Sequence, residues 1–378
     1  MIKAIDKQRY ILDFTLSSLW RRKGKNLALV LVYTLVVFIL GSVMFFTQAL
    51  KNEAAVVLRG SPEIIVQKIV AGRHDLIPVS YGSRIGKIRG VNAVKARFWG
   101  YYYDPVAKAN YTLMVPEDLP LKDQEIVVGA GISRVRRVFR GNSIVFRTYD
   151  GKPATFFLKG ILSPESELLS SDLILISAPG FASLFGIPPD RATDLTVQVA
   201  NKKEIPTIAA KIVDALPDTR AITREEILRT YDAVFDWRGG IMIAILAGAV
   251  LAFLIFAWDK AAGLSAEEKR EIGILKAIGW ETADVLQMKF WEGLVISLSS
   301  FFLGIILAYF HIFYASATLF EPVLKGWSVL YPHFNLTPFI SGYQIAILFF
   351  ITVIPYTVAT IIPSWRAATI DPDAVMRT

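Results

Sequence analysis

Active-site chemistry would have to be built here from three scattered histidines, His74, His311 and His333, and no cysteine at all. Without a thiol there is no disulfide framework, no thiolate metal site and no cysteine nucleophile. The histidines lack the His-Glu-x-x-His spacing of a zinc helix. No Gly-x-Ser-x-Gly elbow occurs, no Ser-x-x-Lys backed by a second motif, and no acid pair distinguishable from surface charge. The residues whose spacing can do work are of another kind. Ile272, Ile274, Leu275 and Ile278 supply apolar side chains to a short helix bounded by Gly273 and Gly279. They are flanked by Glu268, Arg270, Glu271 and Lys276. A short helix showing apolar side chains among charges is suited to dock in another protein's groove.

The elements that must position this helix are apolar. The chain has 378 residues, 53% of them hydrophobic and 20% charged, with a mean hydropathy of +0.45. That is too apolar for an ordinary soluble protein, and the excess sits in four blocks. About 20 apolar residues cross a hydrocarbon core of about 30 Å. Charge-free stretches at 27–50, 239–258 and 338–363, and one at 293–320 whose only ionisable group is His311, qualify. The expected fold is therefore an α-helical integral membrane protein with four transmembrane helices, plus a mixed α/β extracytoplasmic domain between helices 1 and 2. The expected division is 1–26 amphipathic elbow helix and basic cluster, 27–50 first span, 51–237 extracytoplasmic domain, 238–258 second span, and 259–289 cytoplasmic coupling segment. It continues with 290–320 third span, 321–337 extracytoplasmic loop, 338–363 fourth span and 364–378 cytoplasmic tail.

Charge sets the orientation. Residues 1–26 hold seven Lys/Arg against two acids, whereas residues 51–237 hold 25 against 21. The basic excess thus meets anionic lipid headgroups rather than nucleic acid. Arg21, Arg22, Lys23 and Lys25 directly precede the first span, and the positive-inside rule places them, and after four crossings both termini, in the cytoplasm. An uncleaved anchor is favoured over a cleavable signal peptide, for which Thr47-Gln48-Ala49 offers only a weak site. Tyr10, Phe14 and Leu19, with Ile11 and Trp20 close by, can share one side of a short helix; this reads as an interfacial elbow, with a plain cytoplasmic extension of the first span as the alternative.

Within the second span Gly240, Ala244, Gly248 and Ala252 recur every four residues, and the third has a shorter stripe in Ser300, Gly304 and Ala308. Small faces let helices approach closely, although small residues are common in membrane helices anyway. Pro355 is expected to kink the fourth span. In the middle domain, strands are expected at 63–70, 143–148 and 154–159, the last two joined by a two-residue turn at Asp150-Gly151. Helices are expected at 131–139, closed by Gly141-Asn142, at 205–215, and at 223–235 with Thr223 as cap. The aromatic run Phe98, Trp99, Tyr101, Tyr102 and Tyr103 is either a partner surface or, the favoured reading, a strand packing its own core.

The stretch EKREIGILKAIGW at 268–280, followed by Glu292-Gly293, resembles the signature of the FtsX/MacB-like (type VII) ABC transporter permease family. IPSWRAATIDPDAVMR at 362–377 resembles that family's closing motif, and FTLSSLWRRKGKNLALVLVYTL its approach to the first span. QEIVVGAGISRVRRVFRGNSIVF and TREEILRTYD resemble its extracytoplasmic domain. The resemblance implies a non-catalytic, multi-pass subunit of the cytoplasmic (inner) membrane. It implies an ABC ATPase subunit as partner and a second permease chain, the same or related. No Gly-x-x-x-x-Gly-Lys-[Ser/Thr] occurs and 82–87 lacks the spacing, so ATP and Mg belong to the separate ATPase.

By the same resemblance Glu268, Arg270, Glu271, Ile272, Gly273, Ile274, Lys276, Ala277 and Gly279 form the segment that couples to the ATPase. Spans one and two would carry its motion outward as rigid helices. The work would be export or extraction of a hydrophobic or lipid-linked cargo, with an extracytoplasmic cargo or adaptor protein as a further partner. The alternative is a signalling complex that activates an extracytoplasmic partner such as a cell-wall hydrolase. Trp327, Tyr331 and Phe334 are expected at the outer interface.

Overall fold

A computed structural model describes residues 2–59, 61–163, 167–230, 233, 240, 244, 247–248, 250–251, 255, 266–322, 329–331 and 336–368. The chain divides into two units. A helical unit holds Met1–Leu50, Phe235–Ala317 and Thr337–Thr378, and an α/β unit holds Lys51–Val234 and Thr318–Leu336.

The chain begins with helices α1 (Ile2–Arg21) and α2 (Lys23–Arg59). The α/β unit follows, built from β1 (Ile64–Val70), β2 (Arg73–Asp75), β3 (Ile77–Pro78), α3 (Tyr81–Ile85) and β4 (Val91–Arg97). Next come β5 (Trp99–Asp104), β6 (Ala109–Met114), β7 (Glu125–Val128), α4 (Ala130–Arg136), β8 (Ser143–Arg147), β9 (Pro153–Ile161), α5 (Glu167–Ser170), β10 (Leu173–Ile176) and α6 (Ala178–Phe185). It closes with β11 (Arg191–Ala192), β12 (Asp194–Val199), α7 (Ile205–Ala215) and β13 (Thr219–Thr223).

These strands make two principal sheets. One has the order β13-β1-β12-β4, with β2 pairing β1, and all its pairs are antiparallel. The other has the mixed order β5-β6-β10-β7-β9-β8. Everything in the second sheet lies in sequence between β4 and β12 of the first, so the second layer is an insertion into the first. Each sheet has its own core. Ile64, Val66, Leu195 and Val197 pack with Ile208 and Ile212 of α7, while Tyr111, Leu113, Ile126, Ile144, Phe156 and Ile174 pack with Phe181 of α6. Phe98, between β4 and β5, touches both cores. Strict alternation along β8 buries Ile144 and Phe146 and exposes their neighbours, as a period of two requires.

Several local expectations change here. The β8–β9 ladder ends at Arg147↔Pro153, and Thr148 N donates to Lys152 O. Gly151 N donates to Thr148 O, and Gly151 has a φ of +84°. This is a three-residue loop closed by a left-handed glycine, not a two-residue turn. The helix expected over 131–139 stops earlier, because Arg137 turns left-handed (φ 51°) directly after α4. Helix α7 runs over the expected 205–215, and Thr223 Oγ1 accepts Glu226 N at 3.2 Å to cap a helix over 224–230.

The helical unit resumes with α8 (Ala266–Ala277), α9 (Thr282–Phe313) and α10 (Gly342–Ala368). Among the described residues, Lys23–Glu53, Thr282–Phe313 and Gly342–Ile361 are long and apolar enough to cross a membrane. The expected second span falls largely outside the described residues, so three candidate spans stand where four were expected. Helix α9 ends at Phe313 and is followed by left-handed Ser316 and Ala317, so the helix itself stops short of residue 320, where the third span was expected to end. Helix α10 is assigned through Pro355 and Pro363.

Small residues set how these helices meet. Ser300, Gly304 and Ala308 of α9 are buried against α2: Ser300 Oγ donates to Val30 O at 3.2 Å, and Ala308 Cβ lies 3.0 Å from the Cβ position of Gly41. A Cβ on Gly304 would meet Val37 Cβ at 2.6 Å. Tyr33 of α2 stacks on Tyr356 of α10 at 4.9 Å and donates its hydroxyl to Thr352 O. Gly304→Val should therefore push α2 from α9 and cost about 1–3 kcal/mol. Thermal unfolding of the full chain in detergent measures this, and an unchanged midpoint would refute the close approach.

Candidate coupling site

The corner between α8 and α9 is specified residue by residue. Gly279 takes a φ of +102°, open to glycine. Trp280 N donates to Leu275 O at 3.0 Å and Gly279 N to Lys276 O at 3.1 Å, the paired bonds of a Schellman ending. The Trp280 ring then packs on Leu275 and on Ile272. Helix α9 starts at once with a reciprocal capping box between Glu281 and Asp284, in which Glu281 N donates to Asp284 Oδ2 at 3.3 Å. The chain therefore turns tightly, with both helix ends satisfied.

Helix α8 is anchored by its inward face. Ile272 is 4% exposed, packed with Val285, and Leu275 is 5% exposed, packed with Ile11 of α1 and Met288 of α9. Ile274 and Ile278 are 49% and 70% exposed. Packing thus divides the four apolar side chains expected to be shown by this helix into two that hold it and two that remain outside.

Charges tie α1 to the same corner. Glu271 Oε1 accepts Arg21 at 2.9 Å, and its Oε2 accepts Arg22. Lys7 Nζ pairs with Asp284 Oδ1 at 2.6 Å, and Trp291 Nε1 donates to Gln8 at 3.2 Å. The hydrogen bond from Lys7 to Asp284 holds the ammonium above its ordinary value of 10.5, against the opposing effect of burial. The pair's contribution is full below that pH and is lost as pH rises through the elevated value. Asp6, Lys7, Tyr10, Ile11, Trp280 and Asp284 line a shallow cleft of about 400 Å³ here. On α1, Ile11, Phe14 and Leu19 face inward while Tyr10 and Trp20 are exposed, so the expected single apolar side is divided.

The remaining expected residues are placed as follows. Arg270, Ala277 and Gly279 are exposed, Lys276 is half-buried and Gly273 is buried. Glu268 lies within α8, but its side chain falls outside the described residues. Gly240, Ala244 and Gly248 are helical and exposed, with nothing within 4 Å of a Cβ at either glycine; Ala252 lies outside the described residues. No metal-sized group of three His, Asp or Glu occurs among the described residues.

In the α/β unit the aromatic run is strand β5. Tyr102 packs edge-on against Phe146 at 5.1 Å, whereas Tyr101 and Tyr103 point outward. Trp99 Nε1 and Arg97 both donate to the fully buried Asp194, Arg97 with two bonds of 2.8 and 2.6 Å. Nothing in the sequence marked Asp194, 97 positions from its partner Arg97; only strand pairing brings them opposite each other. Of the residues expected at an outer interface, Tyr331 accepts Arg134 on its carbonyl at 3.0 Å, and burial pushes its phenol up to about 12. Trp327 and Phe334 lie outside the described residues.

Residues 239–372 match the family model described as FtsX-like permease C-terminal. No curated protein matches the chain. Among solved structures, the periplasmic region of MacB from Actinobacillus actinomycetemcomitans aligns at 10% identity over 46% of this chain and 94% of that one, with a TM-score of 0.31. The extracellular domain of the noncanonic ABC-type transporter YknZ from Gram-positive bacteria aligns at 13% identity over 42% of this chain and 99% of that one, with a TM-score of 0.29.

Ile272→Ala and Leu275→Ala should each destabilise the helical unit by about 2–5 kcal/mol, and Ile274→Ala and Ile278→Ala by no more than about 0.5 kcal/mol. Unfolding followed by tryptophan emission separates the two pairs, and equal losses would contradict the division of faces.

Proposed function

We propose that this chain, whose residues 239–372 match the family model described as FtsX-like permease C-terminal, is the membrane subunit of an ATP-driven ABC transporter. In this reading it passes the motion of a separate ATPase to an extracytoplasmic α/β unit, which exports or extracts a hydrophobic or lipid-linked cargo.

The observation that carries the reading is the pair Ile274 and Ile278, left exposed on a helix held by buried Ile272 and Leu275. Each buried isoleucine is worth about 1.5–3 kcal/mol, so a groove that covers both gains appreciable affinity. Arg270 and Lys276 flank the pair and give the contact its orientation. Helix α8 thus supplies a ridge, and the ATPase, which holds ATP and Mg, supplies the cleft.

Sidedness is supported by the contact of Glu271 with Arg21 and Arg22. The basic cluster belongs in the cytoplasm by the positive-inside rule, and α8 is tied to it. Helix α2 then leads across the membrane toward the α/β unit, which is extracytoplasmic in this scheme. The exposed face of Gly240, Ala244 and Gly248 suits a second permease chain, since small residues permit close approach.

Ile274→Glu with Ile278→Glu should abolish co-purification of the ATPase and the stimulated hydrolysis of a reconstituted complex, with membrane insertion intact. Normal hydrolysis by that double variant refutes the coupling role. Because the chain has no cysteine, Ala277→Cys gives a clean label. A membrane-impermeant thiol reagent should reach it only after the cytoplasmic side is opened, and labelling from outside intact cells would overturn the topology.

A further inference from the structure

Arg21 and Arg22 stand at the junction of α1 and α2, where the first candidate span departs. In sequence they belong to a basic cluster whose ordinary partners are lipid phosphates. In the structure both guanidinium groups converge on one carboxylate of α8. Arg21 donates to Glu271 Oε1 at 2.9 Å, Arg22 donates to Oε2, and Ser18 Oγ lies 3.5 Å from Oε1. The side chains of Glu271 and Arg22 are 24% and 22% exposed, so this pair is screened less than an open surface bridge. Arg21 also lies over the Phe14 ring at 5.6 Å, and Phe14 leans on Trp280 at 5.2 Å.

We propose that Glu271 is a positioning residue that makes α8, the last turn of α1 and the start of α2 move as one body. Displacement of α8 then enters the first span directly, without passing through the segment that leads back to the second. This rests on the reading of α8 as the ATPase-facing helix, and it deepens that reading: Glu271 serves the chain's own first span rather than the ATPase. The apolar contact of Leu275 with Ile11 resists separation of the helices, but it is non-directional and lets them slide. Two charge-assisted bonds to one carboxylate fix the register along the helix axes. Both carboxylate oxygens already have partners within the chain.

The test uses the full chain in lipid nanodiscs, with spin labels at Ser17→Cys and Ala277→Cys. The unsubstituted clasp should give one narrow distance distribution. Glu271→Ala should broaden it, lowering the clasped-to-open ratio about tenfold or more, as for loss of a charge-assisted hydrogen bond. Glu271→Arg combined with Arg21→Glu and Arg22→Glu, which reverses both bonds of the clasp, should restore the narrow distribution, which a merely space-filling role for Glu271 would not allow. An unchanged width in Glu271→Ala, or no recovery in the swapped variant, overturns the clasp.

A second measurement separates this inference from the proposed function. An environment-sensitive fluorophore at Tyr103→Cys, on the α/β unit, is read with ATP and vanadate in the complex with the co-purifying ATPase. The parent chain should respond, Glu271→Ala should lose most of the response while retaining the ATPase, and the swapped variant should regain it. A full response in Glu271→Ala overturns the inference and leaves the proposed function standing. No response in the parent chain overturns the transmission reading and the inference with it.

Discussion

A helix of twelve residues is too short to persist alone in water, so α8 depends on the burial of Ile272 and Leu275 against α1 and α9. That burial decides which residues are left outside. Once positions 272 and 275 point inward, 100° per residue turns 274 away from them, whereas 278, one turn beyond 275, lies on the flank past the last packed residue and stays exposed. The tight corner at Gly279 and the capping box at Glu281 keep the helix end from fraying. A displaced corner would therefore have to break apolar contacts and satisfied backbone groups together, which is the condition for force to be passed on rather than absorbed.

Packing among α2, α9 and α10 obeys a different constraint. Lipid offers no hydrophobic drive between helices, so close approach must come from small side chains and a few internal hydrogen bonds. Gly41, Gly304 and Ala308 supply the first, and Ser300 and Tyr33 the second. The contact of α9 with α2 is close enough to bring Gly304 against Val37 and the backbone of Phe38, so α2 takes its position from the helix that begins at the Gly279 corner.

In the α/β unit the governing fact is insertion. The six-stranded sheet is contained between β4 and β12, two strands that pair along Val91–Arg97 and Asp194–Val199. The pair of half-buried Arg97 with fully buried Asp194 closes the base of that insertion, where Phe98 bridges two cores. Removing Arg97 would leave the buried Asp194 carboxylate with only the Trp99 indole as its side-chain donor, so the pair ties the two layers more through the cost of breaking it than through its net strength.

Much of this was legible in one dimension. Apolar run length marks the three described span candidates, and periodicity marks α7 and the alternating strand β8, because each is a local property of successive residues. The small-residue stripe of α9 was visible too, but not the helix it packs on. What only tertiary structure decided is which face is used: Ile272 against Ile274, Tyr102 against Tyr101, Phe14 against Tyr10. The same holds for pairs far apart in the chain, such as Glu271 with Arg21 and Asp194 with Arg97. Sequence spacing carries the period of an element but not its rotation about its own axis. That rotation is set by whatever surface comes to lie beside it after folding.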